Sequence, residues 1–189
     1  MLLFIDTETT GLPEKKYQSF NSPFQGPRLV EVAWIECEVD GTTIAEYNSI
    51  IKPDSFTIPN SATSIHSITT GRAHEEGSDI VSVLKKLYMP MNNCTFIVGH
   101  NVNFDLRIIA TEFTRAGIPM SHQMSRRICT MKSSVNLCKL KRGTGYKYPT
   151  LAELHHFLFG LPLSESHRAL SDARACMRCF FELKRRGIL

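Results

Sequence analysis

The chain has 189 residues, 42% of them hydrophobic and 21% charged; it is long enough to bury a core and lacks the polarity of a disordered chain or the composition of a fibre. A formal charge of +4 and a pI near 8.8 suit a polyanionic partner without requiring one. Six cysteines without the dense spacing of a secreted disulfide framework, no segment as long as a membrane span and no signal-peptide pattern lead us to expect a cytoplasmic protein with no membrane partner.

The first element is the apolar run from Met1 to Ile5, the usual sequence of a buried strand, which passes directly into Asp6, Thr7, Glu8, Thr9, Thr10 and Gly11. Side chains alternate along a strand, so Asp6 and Glu8 project to the same side, where like charges repel. Either a cation lies between them or the pair is a solvated strand end in an acidic turn. Residues 12–28, rich in Pro, Gly, Ser and charge, read as a surface loop. LVEVAWIECEV and TTIAEYNSIIKP then read as strands joined by Asp40 and Gly41, a hairpin signal that predicts antiparallel pairing beside the first strand.

Residues 78–88 place Ile80, Leu84, Leu87 and Tyr88 on one helical stripe, with Ser78 available as N-cap. CTFIVGHN reads as a short buried strand, and 103–117 as a helix closed by Gly117, with Pro119 just beyond. RRICTM is a short strand. Residues 150–160 form a helix capped by Thr150 and stopped by Gly160, and 168–187 the last helix. Strands that come first as a hairpin and later alternate with helices predict an α/β protein: one domain over 1–189, a mixed sheet and helices on its faces.

Basic residues gather in KLKRGTGYK (139–147) and ELKRRG (182–187). A polyanion site explains them, and so do a solvated loop and a cationic helix C-terminus. CMRC (176–179) is a single CxxC inside a helix with no second pair at zinc-site spacing, which favours buried thiols over redox or zinc chemistry.

If Asp6 and Glu8 hold a hard cation, more oxygen ligands must converge from elsewhere. Asp105 and Asp172, each near the start of a predicted helix, are the candidates. Each also has a plain reading, since an acidic residue in a first helical turn complements the macrodipole.

DTETTG (6–11), GHNVNFD (99–105) and HRALSDA (167–173) occur in the order of the three signature blocks of the DEDDh (DnaQ-like) 3′-5′ exonucleases, the family that includes the proofreading epsilon subunit of bacterial DNA polymerase III, and the chain resembles that family over essentially its whole length. Weaker features agree: the Leu29 to Ile35 strand, SIHSIT (64–69), and YPTLAELHHFLFG before the third block. The resemblance implies an RNase H-like α/β fold with a mixed five-stranded sheet, and hydrolysis of nucleic acid from the 3′ end to nucleoside 5′-monophosphates. It also implies two divalent cations, Mg²⁺ or Mn²⁺, as cofactors. Asp6, Glu8, Asp105 and Asp172 match the four acidic positions and His167 the general base, so nothing in the motifs suggests a dead enzyme.

The chemistry agrees with the resemblance. A phosphodiester repels hydroxide, so a catalyst must neutralise it, make a nucleophile from water and stabilise the departing 3′ oxygen; two divalent ions roughly 4 Å apart can do all three. Imidazole, with a pKa of ~6.5, can accept the water's proton near neutrality. A core or surface histidine remains the default reading for His74, His122, His155 and His156.

By the same resemblance, Thr7, Thr9, Thr10, Gly11 and Leu12 hold the terminal nucleotide, with His66, His100, Asn101 and Phe104 lining its pocket; ordinary packing is the alternative for Leu12 and Phe104. One departure is Ser61, where polymerase-associated relatives often carry an acidic residue five before the histidine. The leading expectation is a DNA exonuclease preferring single-stranded or frayed 3′ ends. An exoribonuclease of the same superfamily and a silent nucleic-acid-binding domain are the alternatives. The partner expected is a nucleic-acid 3′ end, with a polymerase or another replication or repair protein as a further one. Nothing in residues 187–189 could tether the domain to a polymerase as the epsilon subunit's C-terminal segment does, which leaves a stand-alone trimming enzyme and a polymerase-associated proofreader both open, and the oligomeric state unassigned.

Overall fold

The structure, a computed structural model, describes residues 1–12, 26–119, 126–163 and 167–189. Most of the loop expected over 12–28, and His122, lie outside them.

The apolar opening is the central strand of a five-stranded sheet. β1 (Leu2–Thr9) pairs antiparallel with β2 (Leu29–Cys37), which pairs antiparallel with β3 (Thr43–Ile50). On its other side β1 pairs parallel with β4 (Phe96–Gly99), and β4 with β5 (Arg127–Cys129), giving the order β3-β2-β1-β4-β5. The expected mixed sheet is therefore present, with the hairpin strands on one side of β1 and the parallel strands on the other.

Alternation along β1 divides the core in two. Leu3 and Ile5 join Val32 and Trp34 under α3 (Ile80–Asn93) and α4 (Val102–Arg115), which contribute Leu84, Leu87, Leu106, Ile109 and Phe113. Leu2 and Phe4 join Ile35, Cys37 and Val98 under α8 (Ala169–Arg185), where Phe4 meets Phe180 edge to face at 5.3 Å. Asp6 and Glu8 continue the Leu2 and Phe4 row, so they lie on the α8 side. The direction of the first four residues thus fixes where both carboxylates point.

Two seven-residue helices, α1 (Asn60–His66) and α2 (Thr70–Glu76), cover the β2 and β3 end and enclose Val30, Ile50, Ile58 and Ile68. Neither was expected. After two short helices, α5 (Thr130–Ser133) and α6 (Val135–Cys138), comes a small hairpin of β6 (Lys141–Arg142) and β7 (Gly145–Tyr146). α7 (Leu151–Phe159) packs on α8 through Leu154, Leu158, Cys179 and Leu183, starts with a full capping box between Thr150 and Glu153, and ends at Gly160 with φ +70°.

The α3 cap differs from the expectation. Ser78 is held in a bridge to Ile51, so Asp79 caps instead and accepts from the Ser82 N–H at 2.8 Å. The helix also runs past Tyr88 and through Pro90 to Asn93, because Met91 buries its side chain in the core and outweighs the lost hydrogen bond. Gly77, just before, has its backbone so close to Lys52 that a Cβ would lie 2.6 Å from the Lys52 nitrogen; no larger residue fits.

Cys176 and Cys179 are both buried on α8 and unpaired, as thiols of a packed helix. Among the described residues no helix is long and apolar enough to cross a membrane.

Candidate active site

The polar end of β1 lies against the first turns of α4 and α8. Asp105, in the first turn of α4, is 3% exposed, and its Oδ1 accepts a 2.7 Å hydrogen bond from the Thr7 hydroxyl. Thr7 points to the α4 side of β1 while Asp6 and Glu8 point to the α8 side, so one strand end addresses both helices.

Asp172, in the first turn of α8, accepts the His167 backbone N–H on Oδ2 at 2.9 Å, and its Oδ1 is buried with no partner among the described residues. His167 is exposed and has φ +67°, a left-handed conformation that lets its N–H turn back to Asp172. Glu8, His167 and Asp172 bring one ligand atom each within 4.8 Å of one another.

Asp6 and Asp105 stand outside that triplet, but the charges are felt across the whole group. Burial, then Asp105, Asp172 and Glu8, push the Asp6 carboxyl well above the usual carboxylate range. Burial and the Asp172 charge push Glu8 up to about 8. Asp105 is pushed up to about 7 by burial, against the Thr7 hydrogen bond, and Asp172 is raised by burial against its contacts with His167. Four carboxyls this crowded must be neutralised by protons or by cations. Four carboxyls, one with a buried oxygen that has no partner among the described residues, suit a hard cation such as Mg²⁺ or Mn²⁺ better than a thiophilic metal.

Glu31 belongs to none of the motifs in the sequence. It lies opposite Glu8 in the β1–β2 register, is 0% exposed, and accepts four hydrogen bonds: Arg168 Nη2 at 2.8 Å, Arg168 Nε at 3.2 Å, the Ala169 N–H at 3.1 Å and Asn48 Nδ2 at 3.0 Å. Burial pushes Glu31 up, but the bonds from Arg168, Ala169 and Asn48 carry it below its ordinary value. A fixed negative charge in an acidic cluster is therefore balanced by the residue that follows His167. The visible signal was a lone glutamate inside the apolar run LVEVAW.

Beside Glu8 opens a cavity of about 280 Å³ lined by Thr7, Thr9, Gly11, Leu12, Ser61, Ile65, His66 and Phe104. Leu12 is 82% exposed, so packing does not account for it, whereas Phe104 also packs against the α4-side core. His66 accepts the Ile68 N–H on Nδ1, which leaves the proton on Nε2, buried and without a partner among the described residues. Burial lowers its pKa, opposed by the nearby Thr9 carbonyl.

The structure does not bring Thr10, His100 or Asn101 to this cavity. The Thr10 hydroxyl accepts the Arg28 N–H at 2.9 Å, and Asn101 is the exposed, left-handed N-cap of α4. Both His100 nitrogens are engaged, with Thr130 Oγ1 at 3.0 Å and the Pro149 carbonyl at 2.9 Å, and burial lowers the ring to about 4.

The RNase_T family model, described as Exonuclease, matches residues 3–180. The chain is 28% identical over 181 residues to the DNA polymerase III subunit epsilon of Treponema pallidum, spanning 93% of this chain and 72% of that protein. It is 26% identical over 184 residues to the 3′-5′ exonuclease DinG of Bacillus subtilis, spanning 95% of this chain and only 17% of that one. Among solved structures, E. coli Exonuclease I in complex with a dA16 oligonucleotide superposes with a TM-score of 0.76 at 20% identity, over 98% of this chain and 41% of that one. A zinc-bound Exonuclease I complex with single-stranded DNA gives the same score. These likenesses identify the fold as RNase H-like.

Proposed function

The chain belongs to the DnaQ-like family of 3′-5′ exonucleases, and from that premise we propose that residues 1–189 act as one domain that removes nucleotides from single-stranded or frayed DNA 3′ ends in a metal-dependent, two-ion reaction. The observation that carries the reading is the convergence of Glu8, Asp172 and His167, with the Asp6 carboxyl feeling the charges of Glu8, Asp105 and Asp172, around a carboxylate oxygen that has no partner among the described residues.

In this account Asp6, Glu8, Asp105 and Asp172 hold two Mg²⁺ or Mn²⁺ ions, which would neutralise the phosphate, acidify the attacking water and stabilise the departing oxygen. His167 takes the water's proton as the water oxygen attacks phosphorus. The bond from phosphorus to the 3′ oxygen breaks and that oxygen takes a proton from solvent, leaving a nucleoside 5′-monophosphate and a strand one nucleotide shorter with a free 3′ hydroxyl. The His167 N–H orients Asp172, Thr7 orients Asp105, and the ring of His167, exposed on its left-handed residue, can move its proton on to solvent.

The cavity beside Glu8 takes the terminal nucleotide, with Leu12 against the base and the His66 Nε2 proton as a donor to the sugar or phosphate. DNA is favoured by the Exonuclease I oligonucleotide complexes. Proofreading beside a polymerase is the setting that the epsilon relative favours.

The test is digestion of 5′-labelled single-stranded DNA and RNA with Mg²⁺, Mn²⁺ or EDTA. Stepwise shortening of DNA from the 3′ end, release of 5′-monophosphates and arrest by EDTA are expected. No shortening, or shortening indifferent to EDTA, would overturn the reading; faster loss of RNA would turn it toward an exoribonuclease.

A further inference from the structure

The basic stretch at 139–147 is built as a two-sided hairpin. Lys141 pairs with Tyr146 and Arg142 with Gly145, and the Lys147 N–H extends the ladder to the Leu140 carbonyl at 2.8 Å. Side chains of paired strands alternate together, so Leu140 and Lys147 share one face and Lys141, Tyr146 and Tyr148 the other. The first face is used by the fold: Leu140 packs against the Leu154 and Leu158 cluster, and Lys147 pairs with Glu153 of α7. The second is open, with Tyr146 48% and Tyr148 57% exposed, and among the described residues Lys139 and Lys141 have no ionic partner.

Single exposed apolar residues need no explanation. Two tyrosines on the same face of one short hairpin, beside a lysine with no ionic partner among the described residues, are a different case. Each leaves about half of its surface in solvent, and aromatic faces beside cations are what stacked bases and their phosphates require.

The hairpin is also tied to the end of the sheet that carries the carboxylates. Residue 149 follows Tyr148 directly, and the Pro149 carbonyl receives the His100 Nε2 proton at 2.9 Å. His100 follows β4 and stands five residues before Asp105. A strand whose 3′ end lies in the site has its preceding nucleotides to place, and this face is anchored beside it.

We propose that Lys141, Tyr146 and Tyr148, flanked by Lys139, form a platform for single-stranded nucleic acid on the 5′ side of the nucleotide being removed. Bases stack on the two rings, and the cations meet the backbone phosphates. The proposal rests on the nuclease reading but is testable apart from it.

The probes are a fluorescein-labelled oligothymidylate of about 12 nucleotides and the p-nitrophenyl ester of thymidine 5′-monophosphate, which is too short to leave the site. For the full chain in EDTA, fluorescence anisotropy should show the Tyr146→Ala/Tyr148→Ala variant binding the oligomer about tenfold or more weakly. Lys141→Glu should lower the slope of log affinity against log salt by about one. With Mn²⁺, both variants should raise KM for the oligomer at nearly constant kcat and change kcat/KM for the ester by less than about twofold. Binding and trimming of the oligomer at wild-type levels, or equal losses on oligomer and ester, would overturn the platform. So would poly-L-glutamate competing as well as the oligomer, which would point to an acidic protein partner. If the wild type hydrolyses neither substrate, the nuclease reading fails, while anisotropy still decides the platform.

Discussion

Arg168 grips both oxygens of Glu31, with Nη2 2.8 Å from Oε1 and Nε 3.2 Å from Oε2, and the Ala169 N–H adds a third bond from the same turn. The two residues that follow His167 are thereby fixed to β2, while the His167 N–H is fixed to Asp172. The segment that presents the imidazole is held on both sides.

Glu31→Gln should therefore act through His167. The amide keeps the shape but loses the two-pronged hold on Arg168, and kcat should fall about 10-fold or more while Mn²⁺ affinity changes little. In a His167→Ala background the same change should cost almost nothing further, because two residues serving one function are not additive. Steady-state kinetics of the four proteins in that cycle check this; an undiminished loss in the double variant would make Glu31 merely structural.

His167→Ala removes the ring and leaves the backbone bond to Asp172 in place. We expect turnover to fall by about 10²–10⁴-fold with Mn²⁺ binding by calorimetry preserved. His167→Gly, free to adopt φ +67°, should match the alanine variant in rate and equal or exceed it in thermal stability. Near-normal turnover in either variant would remove His167 from the mechanism.

The raised carboxyls also make stability depend on pH and metal. Glu8, lifted from 4.5 to about 8, and Asp105, from 3.8 to about 7, keep protons in the folded chain that the unfolded chain has already released. Between those limits the folded state binds more protons, so the metal-free protein loses stability as pH rises through the window. Tm measured in EDTA should fall from about pH 5 to about pH 8. Glu8→Gln should flatten that slope, and Mn²⁺ should raise Tm more at the alkaline end. A slope unchanged by Glu8→Gln would contradict the assignment.

Thr7→Val deprives buried Asp105 of its only side-chain donor among the described residues, and that bond works to lower the Asp105 pKa. Activity should then rise with pH at a more alkaline value than in the wild type, and Thr7→Ser should restore the original profile. A profile that does not move in Thr7→Val would show that the hydroxyl does not tune Asp105.

Much of this architecture is legible locally. Asp40 and Gly41 announce the hairpin, Thr150 and Glu153 the start of α7, and the row of Leu2, Phe4, Asp6 and Glu8 follows from strand alternation alone. What escaped depends on distance along the chain. Glu31 reads as an odd charge on an apolar strand because its partner Arg168 is 137 residues away. α1 and α2 are each two turns, too short to show a periodic stripe. The helix expected to end at Tyr88 runs on through Pro90 because Met91 is buried, and His100 reads as a pocket residue until Thr130 and Pro149 are seen to occupy both its nitrogens.

Titration of the metal-free protein with Mn²⁺, followed by calorimetry in the presence of thymidine 5′-monophosphate, addresses the carboxylate cluster most directly. About two ions per chain, bound with release of protons at neutral pH, are expected, with loss of that binding in Asp6→Asn and Asp172→Asn. No Mn²⁺ uptake, or uptake indifferent to both substitutions, would contradict a carboxylate site for two ions.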